Sequence, residues 1–217
     1  MYCDDNGGYF PYNLVGSNAD TNINWAGGVL DWEATPDNTN TTYLTGAALG
    51  AYVARSAEVF RCPSDTVLSG LQRSLGWANR TRTYSMNASI GDAGAVTQNG
   101  YNSNNPSYVQ FFKYSSLPQP AQIFVFVEEH PDTISDGYFL NKVYSDEWLR
   151  LPASYHNGSA NISFADGHAE VHHWQDSWTT PPSLPDAAEP SLNTNLPADQ
   201  AGDIRWVARH MTVKSPH

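Results

Sequence analysis

The chain has 217 residues, 11 of them basic and 22 acidic, which gives a formal net charge of −11. Hydrophobic residues make up 40% and charged residues 15% of the sequence. This is enough apolar mass for a core, and a field of this sign repels nucleic acid and anionic membrane surfaces while it attracts cations.

The beginning of the chain is typical of a helix end. Asp4-Asp5 is followed by Asn6-Gly7-Gly8, a strong stop signal. We therefore predict that residues 1–12 are the remnant of an N-terminal helix and its turn. Neither a signal peptide nor an apolar run long enough to span a membrane is recognisable in the sequence.

The rest of the chain divides by composition. Residues 13–178 are predicted to form the main domain, with long loops rich in Asn, Thr and Gly and a short helix over residues 45–57. The clearest buried strand is 123–127, which is apolar on both faces. Residues 179–217 are predicted to be a C-terminal extension that packs back on the domain through an element at 203–213.

Asp166-Gly167 lies between two segments of alternating polarity, which predicts a β-hairpin with a two-residue turn and positive φ at both turn positions. In that register Phe164 lies opposite Ala169, and Ile162 lies opposite Val171, on the buried side. The other face then carries polar side chains, namely Asn161, Ser163, His168, Glu170 and His172.

Carboxylates crowd the end of the strand 123–127, which predicts a cation site. Glu129, Asp132, Ser135 and Asp136 offer oxygen ligands of the kind that Ca²⁺ prefers. The alternative is an ordinary polar turn, since Pro131-Asp132 and Asp136-Gly137 are common turn pairs. Zinc is the second candidate ion, because His168 and His172 share a strand face.

Catalysis is the second open hypothesis. Glu129, His130, His156 and Asp166 are the candidate catalytic residues of a Ca²⁺-dependent hydrolase acting on glycosides, lactones or esters. Glu128 and Glu129 point to opposite faces of a strand and cannot serve as one pair. A third hypothesis is a carbohydrate-binding module, in which surface tryptophans stack on sugars; the candidates are Trp25, Trp32, Trp77, Trp148 and Trp178.

Four stretches of the sequence carry a resemblance to a known family. They are MYCDDNGGYFPY, VFRCPSD, VEEHPDTISDGYF and the segment in which His156 precedes Asp166-Gly167 by nine residues. In this order they resemble the pseudopilin-like proteins that carry the prepilin-type, processing-associated H-x9-DG motif, related to type II secretion.

The resemblance implies an α+β fold, a pseudopilin-like antiparallel β-sheet domain with a truncated N-terminal helix and long loops. It implies an exported domain, periplasmic or extracellular, whose full-length form is anchored in the bacterial inner membrane. Its partners would be other pseudopilins or components of the secretion system. Calcium is also implied, because major pseudopilins often hold it. Cys3 and Cys62 are candidates for a disulfide if the compartment is oxidising.

Overall fold

The computed structural model describes residues 1–16, 22–186, 192 and 196–216. Within these ranges the α-helices are short and few, and none is long and apolar enough to cross a membrane. They are α1 (Tyr2–Asp5), α2 (Thr42–Thr45), α3 (Gly70–Ser74) and α4 (Gly202–Met211). Turns of 3₁₀ helix connect much of the remaining chain.

One sheet of five strands organises the described chain. The strands are β1 (Tyr84–Asn87), β2 (Phe124–Glu128), β3 (Tyr138–Phe139), β4 (Ser159–Phe164) and β5 (Ala169–His173). Their order across the sheet is β3-β1-β2-β4-β5. The pairs β1–β2, β2–β4 and β4–β5 are antiparallel, whereas β1 and β3 are parallel.

The predicted α+β class is confirmed, but the sheet is mixed and not purely antiparallel as we predicted. The parallel pair aligns Met86 with Tyr138 and Asn87 with Phe139. With only two residues, β3 is too short to show a periodic pattern, so its sequence reads as part of the acidic loop before it. The features peculiar to pseudopilins stay a prediction.

The β4–β5 hairpin exists, but its register is displaced by one residue from the prediction. Ala169 lies opposite Ser163 and Val171 lies opposite Asn161. The loop holds three residues, 165–167, closed by hydrogen bonds between Phe164 and both Gly167 and His168. Gly167 alone adopts positive φ, +96°, whereas Asp166 does not. A three-residue loop of this kind ends in a glycine bulge, which shifts the pairing by one residue.

This shift reverses the faces of β5. His172 lies opposite Ala160, and Glu170 lies opposite Ile162, so the polar residues share the face of the buried ones. Val171 is instead turned outward and is 62% exposed. The predicted placement of Val171 on the buried side was therefore wrong, because a one-residue slip moves every side chain to the other face.

Strand β2 is the centre of the hydrophobic core, as its apolar run predicts. It contributes Phe124 and Val127 to one buried cluster, and Val125 and Phe126 pack against a second. The pairing with β4 is irregular between Phe124 and Phe126. This bulge explains why two successive side chains contact the same cluster.

The helix predicted over residues 45–57 is interrupted. The structure has α2 at Thr42–Thr45 and then a 3₁₀ turn at Gly50–Val53. A Cβ on Gly50 would lie 2.3 Å from the carbonyl oxygen of Thr45, so the chain is too tightly wound here for a continuous helix. A further 3₁₀ turn follows at Ala57–Phe60.

The predicted final element is confirmed as α4, whereas residues 187–191 and 193–195 of the segment before it lie outside the described residues. Helix α4 packs on the sheet through Ile204, Val207 and Met211, which are buried in the cluster that contains Phe124. Its first turn is held by Asp203, whose carboxylate accepts hydrogen bonds from the backbone N–H of Gln175 at 2.9 Å.

Gly91 and Gly167 provide a matched pair for testing how closely the segment at Pro11 packs against the chain at Gly91. Both have positive φ, but a Cβ on Gly91 would lie 2.3 Å from the Pro11 carbonyl oxygen, whereas nothing lies within 4 Å of one on Gly167. We expect Gly167→Ala to cost about 1–2 kcal/mol of unfolding free energy through the left-handed backbone alone. Gly91→Ala should cost a further 1–3 kcal/mol or so, because the close contact is added.

Urea denaturation of both variants measures the difference. Equal losses would mean that the loop at Pro11 is free to move away from Gly91.

Candidate metal centre

The last residue of β2, Glu128, carries a carboxylate with no exposure to solvent. Its Oε2 accepts a hydrogen bond from the backbone N–H of Asn161 at 2.6 Å, and its Oε1 accepts one from the Asn161 side-chain amide at 2.9 Å. The hydroxyl of Tyr84 donates to the same Oε1 at 3.2 Å. Neighbouring strands β1 and β4 thus fix both oxygens of this carboxylate.

Two loops bring a thiol and an imidazole to Glu128. His156 lies in the turn before β4, and its Nε2 is 3.2 Å from Glu128 Oε1. Cys62 follows the 3₁₀ turn Ala57–Phe60, and its Sγ is 3.5 Å from the same Nε2. The backbone N–H of Cys62 donates to Thr83 Oγ1 at 2.7 Å, which anchors the loop beside β1.

These three ligand atoms all lie within 4.8 Å of one another, and theirs is the one such group of His, Cys, Asp or Glu in the described part of the chain. In tetrahedral zinc sites, bond lengths of about 2.3 Å to sulfur and about 2.0–2.1 Å to nitrogen or oxygen put S and N about 3.6 Å apart and N and O about 3.3 Å apart. The observed separations of 3.5 and 3.2 Å match this spacing.

The same cluster does not have the geometry of a nucleophilic triad. In such a triad the base contacts the nucleophile through one imidazole nitrogen and its orienting group through the other. Here Cys62 and Glu128 both approach the same Nε2 of His156. Burial, and then Glu128, raise the pKa of the Cys62 thiol, which is the opposite of activation.

One member of this cluster was predicted from the sequence. His156 was among the candidate catalytic residues, but Glu128 and Cys62 were not candidate site residues. The signal for Glu128 was present, because adjacent strand residues point to opposite faces and only one of Glu128 and Glu129 can face the β4 side chains. Nothing local indicates that Cys62, 94 positions before His156, lies beside it.

Glu129 and His130 lie in a separate buried region. The carboxylate of Glu129 is 4.0 Å from the guanidinium of Arg150, and burial raises its pKa. The ring of His130 contacts the carbonyl oxygen of Pro181 at 3.0 Å, and burial lowers its pKa. Neither side chain is among the residues that line a described cavity or contact His156.

The other predicted calcium ligands already have partners within the chain. The carboxylate of Asp132 accepts the backbone N–H of Leu184 at 2.9 Å. Asp136 accepts the N–H of Gly16 at 2.9 Å and is 3.9 Å from Arg150. The carbonyl oxygen of Ser135 accepts a hydrogen bond from Arg82 at 2.7 Å.

Asp166 lies at the tip of the β4–β5 hairpin, where its carboxylate is 2.6 Å from the ring of His168. His156 precedes β4 and Asp166 follows it, so the six-residue strand separates them by about 17 Å. The structure therefore does not bring together the two ends of the H-x9-DG segment.

His172, in β5, packs against α4, and His168, just before β5, stacks within the hairpin. His172 stacks on Trp206, with ring centroids 3.8 Å apart, and Trp206 stacks on His210 at 4.0 Å. His168 stacks on Phe164 at 4.4 Å. Both histidines that the sequence offers as zinc ligands, His168 and His172, therefore stack on an aromatic ring.

An apolar cleft of about 310 Å³ adjoins the Cys62–Glu128–His156 cluster. Its apolar walls are formed by Trp25, Leu49, Val53, Val59, Phe60 and Phe126. Tyr84 and Asn161 also line it, and these are the two side chains that hold the Glu128 carboxylate. The cleft and the cluster therefore share a wall.

The two cysteines are free, so Cys3 and Cys62 do not form the disulfide considered from the sequence. The tryptophans do not form an exposed row either: Trp25 and Trp148 are 1% exposed, and Trp178, at 43%, is the only one of the seven that is largely exposed.

Comparison with known proteins gives no match to a family model, to a curated protein or to a solved structure.

The stacked His172 predicts a pH dependence of stability. Burial lowers its pKa in the folded chain, and it faces Glu170, Asp203, His210 and His173. Its contribution is therefore present above the unfolded pKa of about 6.5 and is lost as pH falls through the lower folded pKa. We expect His172→Phe, which keeps a ring on Trp206, to reduce the loss of stability on acidification.

Melting curves at several pH values between 7 and 5 measure this, with His168→Phe at the exposed hairpin tip as the matched control. An unchanged pH profile in His172→Phe would show that another group controls it.

Calcium remains a prediction with its own test. If Ca²⁺ binds at Asp132 and Asp136, it should raise the melting temperature. At a free calcium concentration about a hundredfold above the dissociation constant, binding adds about 2.7 kcal/mol to the free energy of unfolding. Asp132→Asn and Asp136→Asn should abolish that rise. Backbone N–H groups donate to both carboxylates and Arg150 lies near Asp136, so partners within the chain compete with an ion. A melting temperature that is equal with calcium and with chelator would contradict the calcium site.

Proposed function

We propose that this chain is a metal-binding protein that holds one Zn²⁺ through Cys62 Sγ, Glu128 Oε1 and His156 Nε2. The observation that carries the proposal is the convergence of these three atoms from three separate segments to within 4.8 Å of one another. The two separations from His156 Nε2, 3.5 Å to sulfur and 3.2 Å to oxygen, match the ligand–ligand distances of a tetrahedral zinc site.

The surroundings of the ligands support this proposal. Ligating carboxylates are usually held by further hydrogen bonds, and Tyr84 and Asn161 supply these to Glu128. The amide of Asn161 lies 2.8 Å from His156 Nε2, on the nitrogen that zinc would take. Zinc binding would therefore displace this amide from the imidazole while leaving the backbone N–H of Asn161 on Glu128.

The donor set selects the kind of metal. Calcium takes oxygen ligands, whereas a thiolate and an imidazole suit zinc and other transition metals. With three protein ligands, the fourth position of a tetrahedral ion is left for water or another molecule. The side chain of His156 is 30% exposed, so this position has a route to solvent on the imidazole side.

An open fourth position would also allow the hydrolase alternative, with the reaction at the zinc centre and not at the acidic segment after β2. Zinc lowers the pKa of bound water and polarises carbonyl groups, which is the chemistry that hydrolysis of an ester or lactone needs. Of the predicted catalytic residues, only His156 belongs to this centre. Glycoside hydrolysis has less support, because Asp166 lies at the far end of β4 from His156.

The wider role that the family resemblance implies is an exported domain of a pseudopilin-like protein that works with other pseudopilins. One observation favours it. Cys62 and His156 belong to two of the four stretches that carry the resemblance, and these two residues meet in the proposed centre. Both stretches would then contribute a ligand to the same metal site.

Cobalt substitution tests the zinc site directly. We expect Co²⁺ to bind one ion per chain, with the visible absorption of tetrahedral cobalt and a near-ultraviolet thiolate-to-cobalt transition. Zn²⁺ should displace it and raise the melting temperature, because it binds the folded cluster and not the separated segments. Cys62→Ser should remove the thiolate transition, and Glu128→Gln and His156→Ala should weaken binding.

Cys3→Ser is the matched control, since Cys3 is the only other cysteine and lies outside the cluster. It should leave the cobalt spectrum unchanged. A spectrum without the thiolate transition, or one that survives Cys62→Ser, would sink the proposal.

A further inference from the structure

The apolar cleft beside the cluster has the properties of a ligand site. Its volume, about 310 Å³, is at the lower end of the range for small-molecule sites in proteins. The walls are mainly aromatic and aliphatic, with Trp25, Phe60 and Phe126 among them, and the polar residues in the lining are Tyr84, Asn161 and Ser163. Such a cavity accepts a small apolar body and orients it through one polar end.

Two of the polar residues that line the cleft also contact the cluster. Tyr84 and Asn161 line the cleft, and both also touch Glu128 Oε1, at 3.2 and 2.9 Å. A molecule in the cleft can therefore place its polar end beside the Tyr84 hydroxyl and the Asn161 amide, the two groups that also hold the Glu128 carboxylate. Any effect of zinc on this binding rests on the zinc site proposed above.

The charge of the residues around the cleft decides which polar group a ligand can carry. No charged side chain is among the described residues that line the cleft. The net charge of −11 further disfavours anions, and burying an unpaired charge in an apolar cleft is costly.

We propose that the cleft binds small uncharged molecules that have an aromatic or branched apolar body and one oxygen function, such as an alcohol, ester or lactone. The apolar body lies against Trp25, Phe60 and Phe126. The oxygen lies toward Tyr84 and Asn161, next to the proposed zinc site.

Three probes with one body isolate the charge preference. 3-Phenylpropanol, 3-phenylpropionate and 3-phenylpropylamine differ only in the terminal group, which is neutral, anionic or cationic at neutral pH. Isothermal titration calorimetry of the zinc-loaded chain should show the alcohol binding about tenfold or more tightly than either ion. Tighter binding of the carboxylate or of the amine would overturn the proposed ligand class.

A variant that fills the cleft locates the binding. Val59 lines the cleft and is 52% exposed, so Val59→Trp can occupy the space without disturbing the core. It should weaken binding of the alcohol about tenfold. Leu75→Trp is the matched control, because Leu75 is equally exposed, 51%, and is not among the cleft residues. Equal affinities of the two variants would show that the probe binds elsewhere.

The metal-free chain separates this proposal from the zinc site. The cleft is formed by the protein alone, so the alcohol should still bind it without zinc, more weakly, and Val59→Trp should still block it. If zinc fails to bind while this blocked binding persists, the zinc site falls and the cleft stands. If zinc binds and the alcohol does not, the cleft proposal falls and the zinc site stands.

Discussion

The described structure depends on a carboxylate with no access to water, that of Glu128. Burying an ionised carboxylate is tolerated only where hydrogen bonds or a cation replace its hydration. Here the backbone and side chain of Asn161 and the hydroxyl of Tyr84 supply those hydrogen bonds. Glu128 thereby ties the central strand β2 to both of its neighbours, and it fixes the place at which Cys62 and His156 meet.

The same constraint explains why strand register matters at this site. Asn161 can reach Glu128 with both its backbone and its side chain only because Val127 pairs with Ile162. A slip of one residue between β2 and β4 would turn Asn161 to the other face and remove its two hydrogen bonds from the buried carboxylate. The same strand register therefore determines both the sheet and the geometry of the site.

The sequence predicted those elements whose signal is local. The apolar run at 123–127 located β2, observed at Phe124–Glu128, and the segment 203–213 located α4. Strands β1 and β3 were not predicted, because they are too short to show a periodic pattern of polar and apolar residues. Asp-Gly indicated the hairpin but not its loop length, since both two-residue and three-residue loops use glycine at positive φ, and that ambiguity displaced the register.

The candidate site was harder to predict because its members are distant in sequence. His156 stood out through its motif, but its partners come from a loop 94 residues earlier and from a strand 28 residues earlier. The acidic segment after β2 was the more visible feature. In the structure, its charges are balanced by guanidinium groups of the same chain. Arg150 lies beside both Glu129 and Asp136, and burial lowers the pKa of Arg82 to about 10.

The cluster and the cleft also share a segment of chain. Val59 and Phe60 form part of the cleft wall, and Cys62 follows two residues later. A metal ion that holds Cys62 would hold this wall as well, because so few residues leave little freedom between them. Linkage is reciprocal, so a ligand that binds the ordered wall must strengthen metal binding by the same factor by which the metal strengthens ligand binding. Metal and ligand would then stabilise one arrangement of the chain from two sides of Asn161 and Tyr84, which contact both.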